Sequence, residues 1–218
     1  MTQPKQKWKK EFDSIVVCCF VGDVDGDGKN EIITGNKDGT LMVLSGEGEQ
    51  KWKKKFDDSV LCCFVGDVDG DGKNEIITGS EDSTLRVFSG EGEQKWKKVF
   101  GGEVRFCFVG DVDGDGKNEV VAGSGDRTLR VFSGEGEQKW EKVFLDVVEC
   151  CSVGDVDGDG KNEIIIYGGD GRLRVFSRDG EKKWKKKLGG VRCCFVGDVD
   201  GDGKNEIITG SEDSTLRV

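Results

Sequence analysis

The decapeptide GDVDGDGKNE occurs five times in this chain, beginning at Gly22, Gly66, Gly110, Gly154 and Gly197, at spacings of 44, 44, 44 and 43 residues. A second marker keeps the period: Trp8, Trp52, Trp96, Trp140 and Trp184. Repetition on this scale means one supersecondary unit copied in series, each copy burying its apolar faces against its neighbours. The repeat overrides the expectation of one or two ordinary domains that 218 residues would carry, in favour of one domain over residues 1–218.

Copy two shows what the unit is. SVLCCFVG is an apolar run of strand length, the Asp-rich loop follows, and NEIITG is a second β-rich run. The polar turn SEDS leads to TLRVFS, which alternates as a third strand. Glu91-Gly92, matched by Asp179-Gly180 in copy four, is a hairpin signal. EQKWKKVF then reads as an outer fourth strand, its lysines guarding an exposed edge. No stretch sustains a helical period. Four antiparallel strands per unit make a propeller blade. The fold class is therefore all-β, a five-bladed β-propeller. The chain stops at Val218 inside the third strand of copy five, and MTQPKQKWKKEF supplies the missing fourth. Residues Lys5 to Phe12 are expected to pair with Thr215–Val218 and close the ring, giving a monomer. A swapped dimer sharing ten repeats is the alternative.

Each loop is built to hold a cation. In the first copy, side-chain oxygens come from Asp23, Asp25, Asp27 and Glu31, and a carbonyl from Lys29, with Gly28 allowing the chain to curl. The equivalents are Asp67, Asp69, Asp71, Lys73 and Glu75; Asp111, Asp113, Asp115, Lys117 and Glu119; Asp155, Asp157, Asp159, Lys161 and Glu163; and Asp198, Asp200, Asp202, Lys204 and Glu206. Hard oxygen donors without Cys or His select Ca2+, about five per chain. An EF-hand starts alike, but its last ligand falls at position 12, which here is Thr34. The charge agrees: the loops hold 20 of the 43 Asp and Glu, so the net charge of -10 arises in them. Four unneutralised carboxylates per loop would repel one another.

At these residues the chain resembles a family. DVDGDGKNE followed by IITG resembles the calcium-binding FG-GAP repeat of integrin α-subunit propellers and of Bardet–Biedl-type ciliary propellers. The resemblance covers all five copies and implies calcium in the first hairpin of each blade, on the carboxylates named above. The name-giving tripeptides are degraded to Phe20-Val21 and Thr34-Gly35, and TLRVFSGEGEQKW resembles quinoprotein-type and WD40-type blades. The identity of GDVDGDGKNEIITGSEDSTLRV in copies two and five points to recent duplication or to engineering.

The copies differ where the cation does not constrain them. The second-to-third strand turns vary, as do the stretches before the first strands, and both belong on the face opposite the Asp loops. There Arg105, Glu149 and Arg192 are expected to form a charged rim for a protein partner, with drift or a local ion pair as the competing reading. The repeated Trp is expected to fill the wedge between blades, although Trp beside Lys could also stack on glycans; a propeller lectin is the rival function. Nine Cys, eight of them in adjacent pairs, read as reduced thiols inside packed strands, since neighbours on a strand face opposite ways. This favours an intracellular, cytoplasmic setting. Met1 to Lys10 is polar and basic, unlike a signal peptide, and no segment has the length of a membrane span. With no His, nucleophile elbow, CxxC or P-loop, the chain is expected to be a scaffold or protein-interaction module, not an enzyme and not a nucleic-acid or membrane binder. An engineered propeller without a biological ligand is a further alternative.

Overall fold

A computed structural model describes residues 5–218; Met1–Pro4 lie outside the described residues. The first blade comprises β1 (Val16–Gly22), β2 (Glu31–Asn36), β3 (Thr40–Leu44) and β4 (Gln50–Lys55). The second comprises β5 (Val60–Gly66), β6 (Glu75–Ser80), β7 (Thr84–Phe88) and β8 (Gln94–Val99). In the third, β9 (Val104–Gly110), β10 (Glu119–Ser124), β11 (Thr128–Phe132) and β12 (Gln138–Val143) follow the same order. The fourth has β13 (Val148–Gly154), β14 (Glu163–Gly168), β15 (Arg172–Phe176) and β16 (Lys182–Lys187). The fifth has β17 (Val191–Gly197), β18 (Glu206–Ser211) and the short β19 (Leu216–Arg217). Four sheets are four-stranded antiparallel meanders and the fifth is three-stranded. The strands fall where the alternating apolar runs place them.

The sheets are held together by side chains. Ile33, Leu41 and Val43 of blade one pack with Val60, Ile76 and Phe88 of blade two. The same layer recurs at each later junction, ending with Ile165, Leu173 and Val175 against Val191. Glycines set the closeness of this fit. A Cβ on Gly22 would lie 2.7 Å from Val65 Cγ1, and one on Gly154 would lie 2.5 Å from Val196 Cγ1. Arginines add a second tie: the Arg86 guanidinium lies 4.1 Å from the Phe56 ring of the preceding blade, and Arg130 lies 4.2 Å from Phe100.

The expected pairing of Lys5 to Phe12 with Thr215–Val218 is not made. Residues 5–12 form no strand, and β19 has one partner, β18. The array has two open ends. Val21 is 56% exposed where its counterparts Val65 and Val109 are 8% and 7%. At the other end Phe195, Leu216 and Val218 are exposed. The N-terminal segment nevertheless docks in the usual way on one side. Trp8 Nε1 donates to Gly46 O at 2.9 Å, as Trp52 donates to Gly90 O, Trp96 to Gly134 O and Trp140 to Arg178 O at 2.6–2.8 Å in the next blade along. These contacts place Trp between blades, as expected, and engage the indole N–H of each.

Candidate metal centres

Each Asp loop joins the first and second strands of one blade and is shaped by its own carboxylates. Asp23 accepts the Gly26 N–H at 2.8 Å through Oδ1 and the Gly28 N–H at 2.9 Å through Oδ2. Asp27 Oδ1 accepts the Lys29 N–H at 2.8 Å, and Lys73, Lys117, Lys161 and Lys204 repeat that bond at 2.8–2.9 Å. Gly26 and Gly28 have φ of 74° and 81°, and a Cβ on either would meet nothing within 4 Å, so it is the left-handed backbone, not space, that demands glycine there. The curl draws the carboxylates together. In the first three loops one oxygen each of Asp23, Asp25 and Asp27, of Asp67, Asp69 and Asp71, and of Asp111, Asp113 and Asp115 lie within 4.8 Å of one another. In the last two, the grouped residues are Asp155, Asp157 and Glu163, and Asp198, Asp200 and Glu206. Three converging carboxylate oxygens on a turn with no sulfur or imidazole suit a hard divalent ion, so the donor set fits calcium.

In the first four loops the glutamate that ends the motif is the buried member. Glu31, Glu75, Glu119 and Glu163 are each 1% exposed. One oxygen of each accepts a loop N–H; Val24 N to Glu31 Oε2 is 3.1 Å. The other oxygen meets a lysine from the fourth strand. Lys51 Nζ lies 2.7 Å from Glu31 Oε1 and also bonds Asp25. Lys95 bonds Asp69 and Glu75, Lys139 bonds Asp113 and Glu119, and Lys183 bonds Asp157 and Glu163. Hydrogen bonds to Asp25 and Glu31 push the Lys51 ammonium above its usual range, and the Lys51 bond holds Asp25 below the usual carboxylate range. Burial raises Glu75 despite Lys95. Sequence alone presents these lysines only as guards of an outer edge. Their constant position before Trp is the signal that could reveal them, since β4 returns alongside the loop some 20 residues later. In the fifth blade, which has no fourth strand, no lysine reaches Glu206 among the described residues.

The loops are also linked to one another. Asn74 Nδ2 donates to Asp23 O at 2.7 Å, and Asn118, Asn162 and Asn205 bond the carbonyls of Asp67, Asp111 and Asp155 at 2.6–2.9 Å.

On the opposite face, each second-to-third strand turn is tied to the stretch before the first strand, as in Glu81 N to Ser59 O at 2.9 Å. The two variable segments therefore share a face. Of the expected rim, Arg105 joins Glu103 at 2.7 Å and Glu149 at 3.5 Å, whereas Arg192 pairs with Glu212. The three charges do not form one cluster.

Comparison with known proteins agrees with this architecture. Residues 1–65 match the family described as the lambda-carrageenase beta-propeller domain, and residues 155–209 match the FG-GAP-like repeat. No curated protein matches. Among solved structures, BBS1N in complex with ARL6DN superposes with a TM-score of 0.73 at 12% identity in a lead-soaked crystal, over 99% of this chain and 66% of that one. The mercury-soaked crystal of the same complex gives 0.74 at 14% identity, over 98% and 65%. The Vibrio cholerae biofilm matrix protein Bap1 gives 0.63 at 26% identity, over 79% of this chain and 29% of that one. This chain thus spans less than two thirds of the length of each. The matches bear out the resemblance to FG-GAP-type β-propellers.

Proposed function

We propose that this chain is a calcium-stabilised propeller scaffold that binds a protein partner and performs no catalysis. The observation that carries the reading is the convergence of three carboxylate oxygens in each of five loops. In each loop Asp at the first, third and fifth positions and the terminal Glu would hold the ion, which supplies positive charge where the backbone alone leaves carboxylates in mutual repulsion. Metal analysis of exhaustively dialysed protein is expected to find about five calcium ions per chain; fewer than about three would sink the calcium assignment.

The partner reading rests on scaffold logic. Loops on a rigid frame commonly carry recognition, and the variable segments share one face. A similar fold, BBS1N, is seen in complex with ARL6DN. A partner is expected to leave its footprint on the face that carries Arg105, Glu149 and Arg192. Changing Arg105 and Arg192 to Glu should slow association with an anionic partner without changing calcium content. A footprint over the Asp loops would reverse the roles of the two faces.

We further propose that the array closes as a ring through residues 5–12. The inner-strand contact made at interior joints has an unmatched half at each end. Gly197 meets only its own Phe195 while Val21 is exposed. Lys7 occupies the sequence position of Lys51, and the fifth blade has no fourth-strand lysine of its own. Deleting residues 1–12 should then expose an edge and promote oligomers; a stable monomeric deletion variant would refute closure by this segment.

A further inference from the structure

Adjacent cysteines in this chain do not face each other, but cysteines of adjacent blades do. Cys62 Sγ on β5 and Cys107 Sγ on β9 are 3.4 Å apart. Cys150 Sγ on β13 and Cys194 Sγ on β17 are 3.2 Å apart. Cys18 on β1 packs against the cluster that contains Cys63 of β5. The rule is constant: the first cysteine of one blade meets the second of the next. At the joint between blades three and four the first position is Phe106, which packs in one cluster with Cys151. Cys151 is thus the odd thiol of nine. Two remain, Cys19 and Cys193, both exposed and at opposite ends of the array. By the same rule they are partners across the fifth joint.

We propose that the inner strands carry cross-blade disulfide sites, Cys18–Cys63, Cys62–Cys107 and Cys150–Cys194, with Cys19–Cys193 as a fourth that forms when the ends of the array meet. The fourth pair rests on the ring closure proposed above; the other three do not. The oxidant is a small disulfide, RSSR. One protein thiol loses its proton, and its sulfur attacks RSSR to give a mixed disulfide and a thiolate RS⁻. The thiol of the neighbouring blade then loses its proton and attacks the protein sulfur of that mixed disulfide, expelling the second RS⁻. Both RS⁻ take up the released protons. The two protein thiols are oxidised by two electrons and RSSR is reduced to two RSH.

Exposure assigns the order of attack at two joints. Cys18 and Cys62 are part-exposed while Cys63 and Cys107 are buried, so Cys18 and Cys62 are the first attackers there. A disulfide is about 2.0 Å long, so Cys62–Cys107 and Cys150–Cys194 must close by roughly 1.2–1.4 Å, within the reach of side-chain rotation. The consequence is specific to this architecture. No backbone hydrogen bond of a sheet crosses between blades, so each interior disulfide would be the one covalent tie across its joint besides the connecting chain.

The test uses the full reduced chain, incubated with oxidised glutathione, followed by thiol counting and mass mapping of unreduced digests. The expected result is loss of six thiols through the three interior links, with Cys151 remaining free, and a raised melting temperature that a reductant reverses. Because Cys62 and Cys63 share peptides, Cys194→Ser provides the assignment: Cys150 should then retain glutathione while the other links form. Links between adjacent residues, links between chains, or six unreacted interior thiols would overturn the proposal. If the interior links form and Cys19–Cys193 does not, the fourth pair and ring closure by this route are overturned and the other three stand.

Discussion

Lys139 reaches from the outer strand of its blade to place Nζ 2.6 Å from Glu119 Oε1 at the base of the Asp loop. The contact recurs at Lys51, Lys95 and Lys183. A positive charge is thus built into four of the loops, where it pairs with the buried glutamate and one aspartate and offsets one of their two charges.

Replacing Lys139 by Met should therefore cost about 2 kcal/mol in chelator, less than a fully buried pair because Lys139 is partly solvated. In saturating calcium the deficit should shrink, since the ion compensates the same carboxylates. Thermal melts in the two conditions make the comparison. Equal deficits would mean that lysine and ion do not share these oxygens.

Removing calcium should lower the melting temperature by mass action on the folded state without unfolding the chain at room temperature. The lysines are the reason for the residual stability. Asp113→Asn should reduce the measured calcium content by about one ion per chain. A melting curve unchanged by excess chelator would count against a stabilising role.

Gly136 lies beneath Trp96, where an added Cβ would sit 2.9 Å from the ring, and its φ is 86°. Gly136→Ala should destabilise the fold by about 1–3 kcal/mol through strain and overpacking. Trp96→Phe should cost about 1 kcal/mol, as it leaves the Gly134 carbonyl without its indole donor. Chemical denaturation of each variant gives the readout, and a neutral Gly136→Ala would contradict the inter-blade contact.

Acid should weaken the protein through its Asp–Arg pairs. Burial opposes ionisation of Asp82, but hydrogen bonds from Arg86 and Thr84 prevail and hold its carboxyl below the usual range. At Asp170 the bond from Arg174 dominates and acts in the same direction. Both folded values are depressed, so their stabilisation is complete above the unfolded value of about 3.9 and is lost as pH falls through the folded values. Melting temperature in chelator should be flat from about pH 8 to 5 and fall below about 4. Asp82→Asn should shallow that fall; an identical profile would assign the acid step to other groups.

The blades are legible in the sequence because alternation is local: EIITGS and TLRVF announce strands within five or six residues, and the Asp loop announces itself within nine. What the sequence conceals depends on contacts between segments far apart in the chain. Lys51 acts on Glu31 from the returning strand, and KWKK reads equally well as edge protection. Cys62 meets Cys107 rather than Cys63, a pairing visible only once strand faces are assigned to joints. Sequence position groups Arg192 with Glu149, yet the nearer Glu212, on the turn after β18, takes its charge. Lys5 to Phe12 carries a fourth-strand sequence without forming the strand, although Trp8 makes the contact with the next blade that Trp52, Trp96 and Trp140 make from paired strands.

Each asparagine amide that grips the Asp carbonyl of the preceding loop makes the loops a linked train rather than five separate clasps. Tension applied to one loop is passed to the next through a bond near 2.7 Å. The coupling runs in one direction along the chain and stops at Asp198, which no amide braces among the described residues. In the open array that terminal loop is therefore the one a cation alone would have to stiffen, and closing the ring would bring Asn30 into the sequence position that braces it.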